Sequence, residues 1–189
     1  MAKNYRSIPV PAGIDVKPET GKVTVKGKLG TLALRLPAGV TVGIENKALS
    51  VTAVEGVERA IVGTTRAHIQ NMFRGLTDGY EVTLEVRGMG YRVQKAKEGI
   101  QVNCGFSHTV DVAAPAGVTM DVVQAPNPDD VKVQMFVITI KGTDRQVVGE
   151  LAAKIRALRP PDNYQGKGVR YRGEHVRKKA GKRAAGAQA

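Results

Sequence analysis

Hydrophobic and polar positions alternate along this chain in short runs and twice give way to the three- and four-residue spacing of a helix. Lys22-Val-Thr-Val-Lys26, Leu32-Ala-Leu-Arg-Leu36, Val40-Thr-Val42 and Leu49-Ser-Val-Thr52 have the period of half-buried strands separated by turns. Val62, Thr65, Ile69, Met72, Phe73 and Leu76 then fall on one face of a helix expected from about Val57 to Arg74, with Arg66 and Arg74 on its polar side. The order recurs further on. Val82, Leu84 and Val86 alternate with Thr83, Glu85 and Arg87, and Gly88-Met-Gly90 marks a bulge or bend before Tyr91 and Val93. Thr143-Asp-Arg-Gln146 has capping-box spacing, Val148, Leu151, Ile155 and Leu158 form a second helical stripe, and Arg159-Pro-Pro161 stops it.

The recurrence is a repeat. Leu36-Pro-Ala-Gly-Val-Thr-Val42 matches Ala114-Pro-Ala-Gly-Val-Thr-Met120 at an offset of 78, which also sets Gly27 on Gly105, Leu32 on Val110 and Leu34 on Val112. Val51-Thr-Ala-Val54 aligns with Val137-Ile-Thr-Ile140, and Gly63 with Gly149, at an offset of 86, with Ala125-Pro-Asn-Pro-Asp-Asp130 as the inserted loop. A period this long implies duplicated domains rather than a solenoid. The expected fold is α+β, with two homologous domains from an internal duplication, residues 1–81 and 82–164. Each has an antiparallel sheet packed against one helix, and a basic C-terminal tail follows over 165–189.

Charge changes the picture at that tail. The chain carries a net charge of +12, with a pI near 10.0, and residues 165–189 hold eight Lys or Arg against Glu174 alone. Such a balance calls for a polyanion, because cations that neutralise phosphates release condensed counterions. Nucleic acid is the expected partner. A membrane is not, since there is no long apolar run, secretory leader or basic amphipathic helix with large apolar anchors. One cysteine, Cys104, excludes an internal disulfide and a CxxC metal site and fits a reducing cytosol; its neighbours suggest a buried strand position.

The candidate binding residues follow from this. Gly166-Lys-Gly168 allows close backbone approach to a phosphate, although the GxxxxGK[ST] spacing of a nucleotide loop is missing. Around it, Tyr164 and Tyr171 can either stack on a base or sugar or pack the tail on its own domain, and Lys167, Arg170 and Arg172 can bind phosphate. Lys154, Arg156 and Arg159, in the last turns of the second helix, complement its dipole or extend the basic face. Arg177, Lys178, Lys179, Lys182 and Arg183 alternate with small residues and are expected to order only on meeting a polyanion. Catalysis has no comparable support. His68, His108 and His175 lack metal-ligand spacing, Cys104 with His108 lacks an orienting third group, and Asp129-Asp130 reads as a turn, so no enzyme activity, cofactor or metal is expected.

The repeated α+β domains followed by Pro161-Asp-Asn-Tyr-Gln-Gly-Lys-Gly-Val-Arg-Tyr171 resemble the bacterial large-subunit ribosomal protein six family over essentially the whole chain. Val10-Pro-Ala-Gly13, Val25-Lys-Gly27, Gly88-Met-Gly-Tyr-Arg92, Gly105-Phe-Ser-His108 and Lys141-Gly-Thr-Asp-Arg-Gln146 carry the same resemblance. Two features depart from it: Gln165 stands where lysine is common, and Met1-Ala-Lys-Asn-Tyr-Arg6 lacks the usual Ser-Arg-Ile-Gly-Lys opening. The resemblance implies a cytoplasmic structural component of the large ribosomal subunit that supports translation. It would bind 23S rRNA, mainly through the second domain and tail, near the stalk base and the sarcin-ricin loop. Neighbouring large-subunit proteins are implied partners, translation factors would lie nearby, and no small-molecule substrate is implied. The alternative from composition is a free-standing basic nucleic-acid-binding regulator.

Overall fold

The computed structural model describes residues 7–45, 48–54, 57–127 and 130–179, without the side chains of 130–133. These residues divide into two compact units, one made of the chain up to Tyr80 with Thr143–Arg145, the other of Glu81–Gly142 with the residues from Gln146 on.

In the first unit, β1 (Ile8–Pro9), β2 (Asp15–Glu19), β3 (Lys22–Gly27), β4 (Gly30–Arg35), β5 (Val40–Glu45) and β6 (Ala48–Ala53) precede α1 (Arg59–Thr77). The strands form two antiparallel sheets, ordered β2-β3-β4 and β1-β6-β5, where periodicity alone suggested one. The break lies between β4 and β5. Pro37 has no amide to continue the ladder and Gly39 turns the chain at φ 80°, so a new sheet starts at Val40. Sequence reading passed over β2 because Asp15-Val-Lys-Pro-Glu19 has one apolar residue and a proline, a combination confined to a sheet edge, which is where β2 lies.

α1 packs on β3, β4 and β6. Every apolar position expected on its inner face is buried, and Thr65 among them satisfies its hydroxyl by donating to the Ile61 carbonyl at 2.9 Å. The helix runs three residues past the expected end, to a cap at Asp78, whose N–H donates to the Arg74 carbonyl at 2.9 Å. Val23, Val25, Leu49, Ile69 and Leu76 lie at the centre of this core.

The second unit repeats the order with β7 (Tyr80–Arg87), β8 (Arg92–Ala96), β9 (Gly99–Asn103), β10 (Val110–Ala113), β11 (Val118–Asn127), β12 (Asp130–Gly142) and α2 (Arg145–Leu158), and adds β13 (Gly168–Tyr171). Its sheets run β10-β9-β8 and β11-β12-β7-β13. Apart from β13, each strand has the neighbours of its counterpart in the first unit. The duplication is therefore visible in the pairing itself.

Pairing also corrects the sequence alignment. Val40 and Val118 keep the offset of 78, but the buried pair Leu49 and Val51 of β6 corresponds to Ile138 and Ile140 of β12, an offset of 89 rather than 86. A three-residue error matters, because an odd shift would turn every inward side chain of β12 to the other face. The helices do keep 86, with Val62 on Val148 and Ile69 on Ile155, both pairs buried. The supposed inserted loop is mostly strand: Ala125–Asn127 belong to β11 and Asp130 opens β12, while residues 128 and 129, including the expected Asp129 turn, lie outside the described residues. At α2 the first helical residue is Arg145, so Asp144 and not Thr143 precedes it, and Gln146 donates to Glu150 at 2.9 Å.

Candidate nucleic-acid interface

The basic extension is built into the second unit as a strand. Asp162 starts it by holding a tight turn: the Gln165 amide donates to Asp162 Oδ2 at 2.9 Å, the Gly166 amide to the Asp162 carbonyl at 2.9 Å, and the Asp162 amide to the Lys167 carbonyl at 2.8 Å. The Gln165 amide bond holds the Asp162 carboxyl below the usual carboxylate range. The chain then pairs with β7, Gly168 opposite Arg87 and Tyr171 opposite Leu84, and the ladder continues with the Arg172 amide donating to the Thr83 carbonyl at 2.9 Å. Beyond it, the Lys179 amide donates to the Asn163 carbonyl at 2.8 Å. Through residue 179 the expected free tail is thus tied back at both ends of a loop. Lys182 and Arg183 lie outside the described residues.

The two glycines act differently from the expected phosphate approach. Gly168 has φ 143°, and a Cβ there would stand 2.6 Å from the Pro161 Cα and 2.7 Å from the Pro160 carbonyl oxygen. What comes close to its backbone is the chain's own proline pair. Gly166, at φ 72°, lies beneath the Lys178 side chain, 3.1 Å from where a Cβ would sit. Both glycines are buried.

Two arginines are likewise engaged by the fold. Arg156 Nε donates to Glu174 Oε2 at 3.1 Å and its Nη2 to Oε1 at 2.5 Å, while the Tyr171 amide donates to the same Oε2 at 2.9 Å. The Arg156 guanidinium lowers the Glu174 pKa, and Glu174 raises that of Arg156. That guanidinium also sits 5.8 Å over the Tyr171 ring, so of the two roles left open for the tyrosines, Tyr171 packs the extension onto α2. Tyr164 instead points outward, 61% exposed.

Arg170 meets a feature that alternation concealed. Glu85 and Arg87 read as outward-facing positions of β7, yet both are buried. Arg87 donates to Glu85 Oε2 from Nε at 3.2 Å and from Nη2 at 2.8 Å, and Arg170 Nε reaches the same oxygen at 3.4 Å. One carboxylate oxygen thus serves two guanidiniums. This group forms the floor of an open pocket of about 610 Å³ walled by Gly173, His175, Val176, Arg177 and Lys178. β7 is therefore covered on both faces, a situation in which its polar alternation cannot mean exposure. The sequence signal that could have found Glu85 was its place opposite Arg170, but that register exists only once β13 has paired.

Lys154, Arg159, Arg172, Arg177, Lys178 and Lys179 are exposed, and Lys167 is half-buried. Cys104 is buried, and desolvation pushes its thiol up to about 11, so at neutral pH it carries its proton. Among the described residues no group of three or more His, Cys, Asp and Glu could hold a metal ion, and no helix is long and apolar enough to cross a membrane.

The family model described as ribosomal protein L6 matches residues 10–79 and 87–172, one segment for each unit. The chain is 42% identical over 180 residues to the large ribosomal subunit protein uL6 of Roseiflexus castenholzii, covering 94% of each chain. To the protein of the same name from Listeria welshimeri it is 42% identical over 94% of this chain and 95% of the relative, and to that of Chromohalobacter salexigens 41% identical over 93% and 95%.

Proposed function

This chain belongs to the ribosomal protein L6 family, structural and non-enzymatic components of the ribosome in the cytoplasm, and on that premise we propose that its second unit binds large-subunit ribosomal RNA through the strand-anchored extension. The observation that carries this reading is the set of exposed cations, Arg172, Arg177, Lys178 and Lys179, on a segment held in place by β13 and by the Glu85 and Glu174 ion pairs. Preorganised cations lose less conformational freedom on meeting phosphate than a free tail would. Arg156, Arg170, Gly166, Gly168 and Tyr171 position the segment; Lys154, Arg159, Tyr164, Lys167 and the exposed cluster face the RNA, and Lys182 and Arg183 extend it.

Recognition is mainly by shape. A-form RNA presents phosphates and 2′-hydroxyls while its deep groove hides base edges. The proposed position is near the stalk base and the sarcin-ricin loop, with neighbouring large-subunit proteins as further partners and translation factors close by. The first unit, residues 1–81 in this proposal, lacks a comparable basic extension and contributes protein contacts or weaker RNA contacts; residues 82–164 with 165–189 form the RNA-binding part.

The test is binding of the full chain to large-subunit rRNA and to duplex DNA across a salt series, beside single Arg172→Gln, Arg177→Gln, Lys178→Gln and Lys179→Gln variants. Point changes are needed because truncation after Tyr164 would delete β13 and uncover Glu85 and Arg87. Preference for the rRNA, with each variant flattening the log-log salt slope by roughly 0.7 to 0.9, is the expected result. Equal binding to both polymers and unchanged slopes would return the function to a free-standing nucleic-acid-binding regulator.

A further inference from the structure

The loop from Gly105 to Thr109, between β9 and β10, is exposed at every position, although it joins two strands of the core. It carries two rings. Phe106 and His108 stack with centroids 5.9 Å apart and planes 25° from parallel, and Phe106 is 38% exposed. Leaving two rings in water forfeits burial that the adjoining Cys104 and Val102 achieve fully, so the loop is not serving the core.

The loop is also held rather than loose. Gly105 turns it at φ 81°, and the Tyr91 ring lies 3.5 Å from where a Gly105 Cβ would be. The same ring blocks a Cβ at Gly88, which would meet it at 2.6 Å, so Tyr91 joins this loop to the neighbouring turn that bears Met89, 73% exposed. A platform fixed in advance loses little freedom when it is covered.

The surroundings select the occupant. Arg92 stands opposite Asn103 at the base of the loop and is exposed. Arg159 is near enough to Cys104 to oppose, electrostatically, the effect of burial on that thiol, and its carbonyl accepts the Val169 amide of β13 at 2.8 Å. Both arginines are exposed, one at the base of the ring-bearing loop and one at the root of the basic extension, and the loop itself holds no acidic residue. Exposed flat rings on a loop that has an arginine at its base and no acid of its own suit a nucleobase with its phosphates better than an apolar protein surface, which would cover that cation without pairing it.

We propose that Phe106 and His108 form a stacking platform for an unpaired nucleobase of RNA, with Arg92 and Arg159 placed for the adjoining phosphates. The proposal rests on the RNA-binding reading above and adds to it a contact that depends on stacking instead of charge. Such a site takes a looped-out or single-stranded nucleotide, which a duplex does not offer.

The experiment measures binding of the full-length chain to large-subunit rRNA across a salt series for the wild type and for Phe106→Ala, Phe106→Leu and Phe106→Tyr, with chemical footprinting of the bases in each complex. Phe106→Ala should weaken binding by about five- to a hundredfold, in line with the loss of one base–aromatic stack. The salt slope should stay unchanged because no phosphate contact is removed. Phe106→Leu should behave as Ala does, Phe106→Tyr should bind within about twofold of wild type, and protection of an unpaired base should vanish in the Ala variant. Should Phe106→Ala fold poorly, His108→Ala, altering an exposed ring, carries the same expectation. A wild-type chain that binds the RNA with Phe106→Ala unaltered overturns the platform alone, as does full rescue by Leu, which points to apolar packing against a protein. A wild-type chain that does not bind the RNA overturns both readings.

Discussion

Arg156 of α2 and Glu174 of the extension meet in a two-pronged ion pair, Nε to Oε2 at 3.1 Å and Nη2 to Oε1 at 2.5 Å, and Glu174 also receives the backbone amide of Tyr171. The pair therefore fastens the chain just past β13, and the last residue of β13 with it, to the helix. Glu174→Gln keeps the shape and removes the charge, and should cost about 1 kcal/mol, the scale of a partly exposed pair. Hydrogen exchange at the Tyr171 and Arg172 amides should accelerate while exchange in β9 and α1 stays at the wild-type rate.

The same pair gives a sign for acid sensitivity. Arg156 holds the Glu174 pKa below its ordinary 4.5, so the folded state binds this proton more weakly than the unfolded chain does. The contribution is complete above about that ordinary value and is lost as pH falls through the lower folded-state value. Protease cleavage within residues 172–179 should rise on acidification below pH 4.5 in the wild type, and Glu174→Gln should flatten that dependence.

Glu85 compensates both Arg87 and Arg170 at positions about one-tenth exposed. Glu85→Ala removes the carboxylate that two buried guanidiniums share and should destabilise the chain by about 3–5 kcal/mol. Chemical denaturation measures this directly. Arg170→Leu removes one cation while Arg87 remains paired, so its loss should be clearly smaller.

Two glycines of the second unit should respond in opposite ways to alanine. Gly168→Ala drives a Cβ into the Pro160–Pro161 backbone at φ 143°, and should cost at least about 2 kcal/mol. Gly149→Ala, on the exposed side of α2 with nothing within 4 Å, should stabilise by about 0.4–1 kcal/mol. Thermal melts of the two variants separate the effects, and Gly168→Ala should also lose rRNA affinity by displacing β13.

Cys104 should resist iodoacetamide at pH 7.5 in the folded protein and react after denaturation, because burial lifts its pKa to about 11 and hides the sulfur. Cys104→Ala should leave ribosome incorporation and cell growth unchanged, which removes the nucleophile reading of Cys104 and His108.

Local pattern was sufficient for much of this molecule. The inner face of α1 from Val62 to Leu76, the stop after Leu158, the two α+β copies and the concentration of cations after Gln165 all follow from residue spacing, since periodicity and proline act within a few residues. The first repeat offset, Val40 to Val118, was equally legible. Tertiary structure alone decided three further matters. It divided each copy's strands between two sheets, moved β12 to the 89-residue register, and turned the basic tail into β13. In each case pairing between strands decides: Ile44 opposite Leu49 and Val122 opposite Ile138 make Leu49 and Ile138 equivalent, and Glu85 is recognised as the partner of Arg170 only when β13 lies beside β7. A charge pattern read along the chain says how many cations the extension carries, whereas which of them are consumed by Glu85 and Glu174, and which face outward, depends on ion pairs that close at 2.5 to 3.4 Å across the fold.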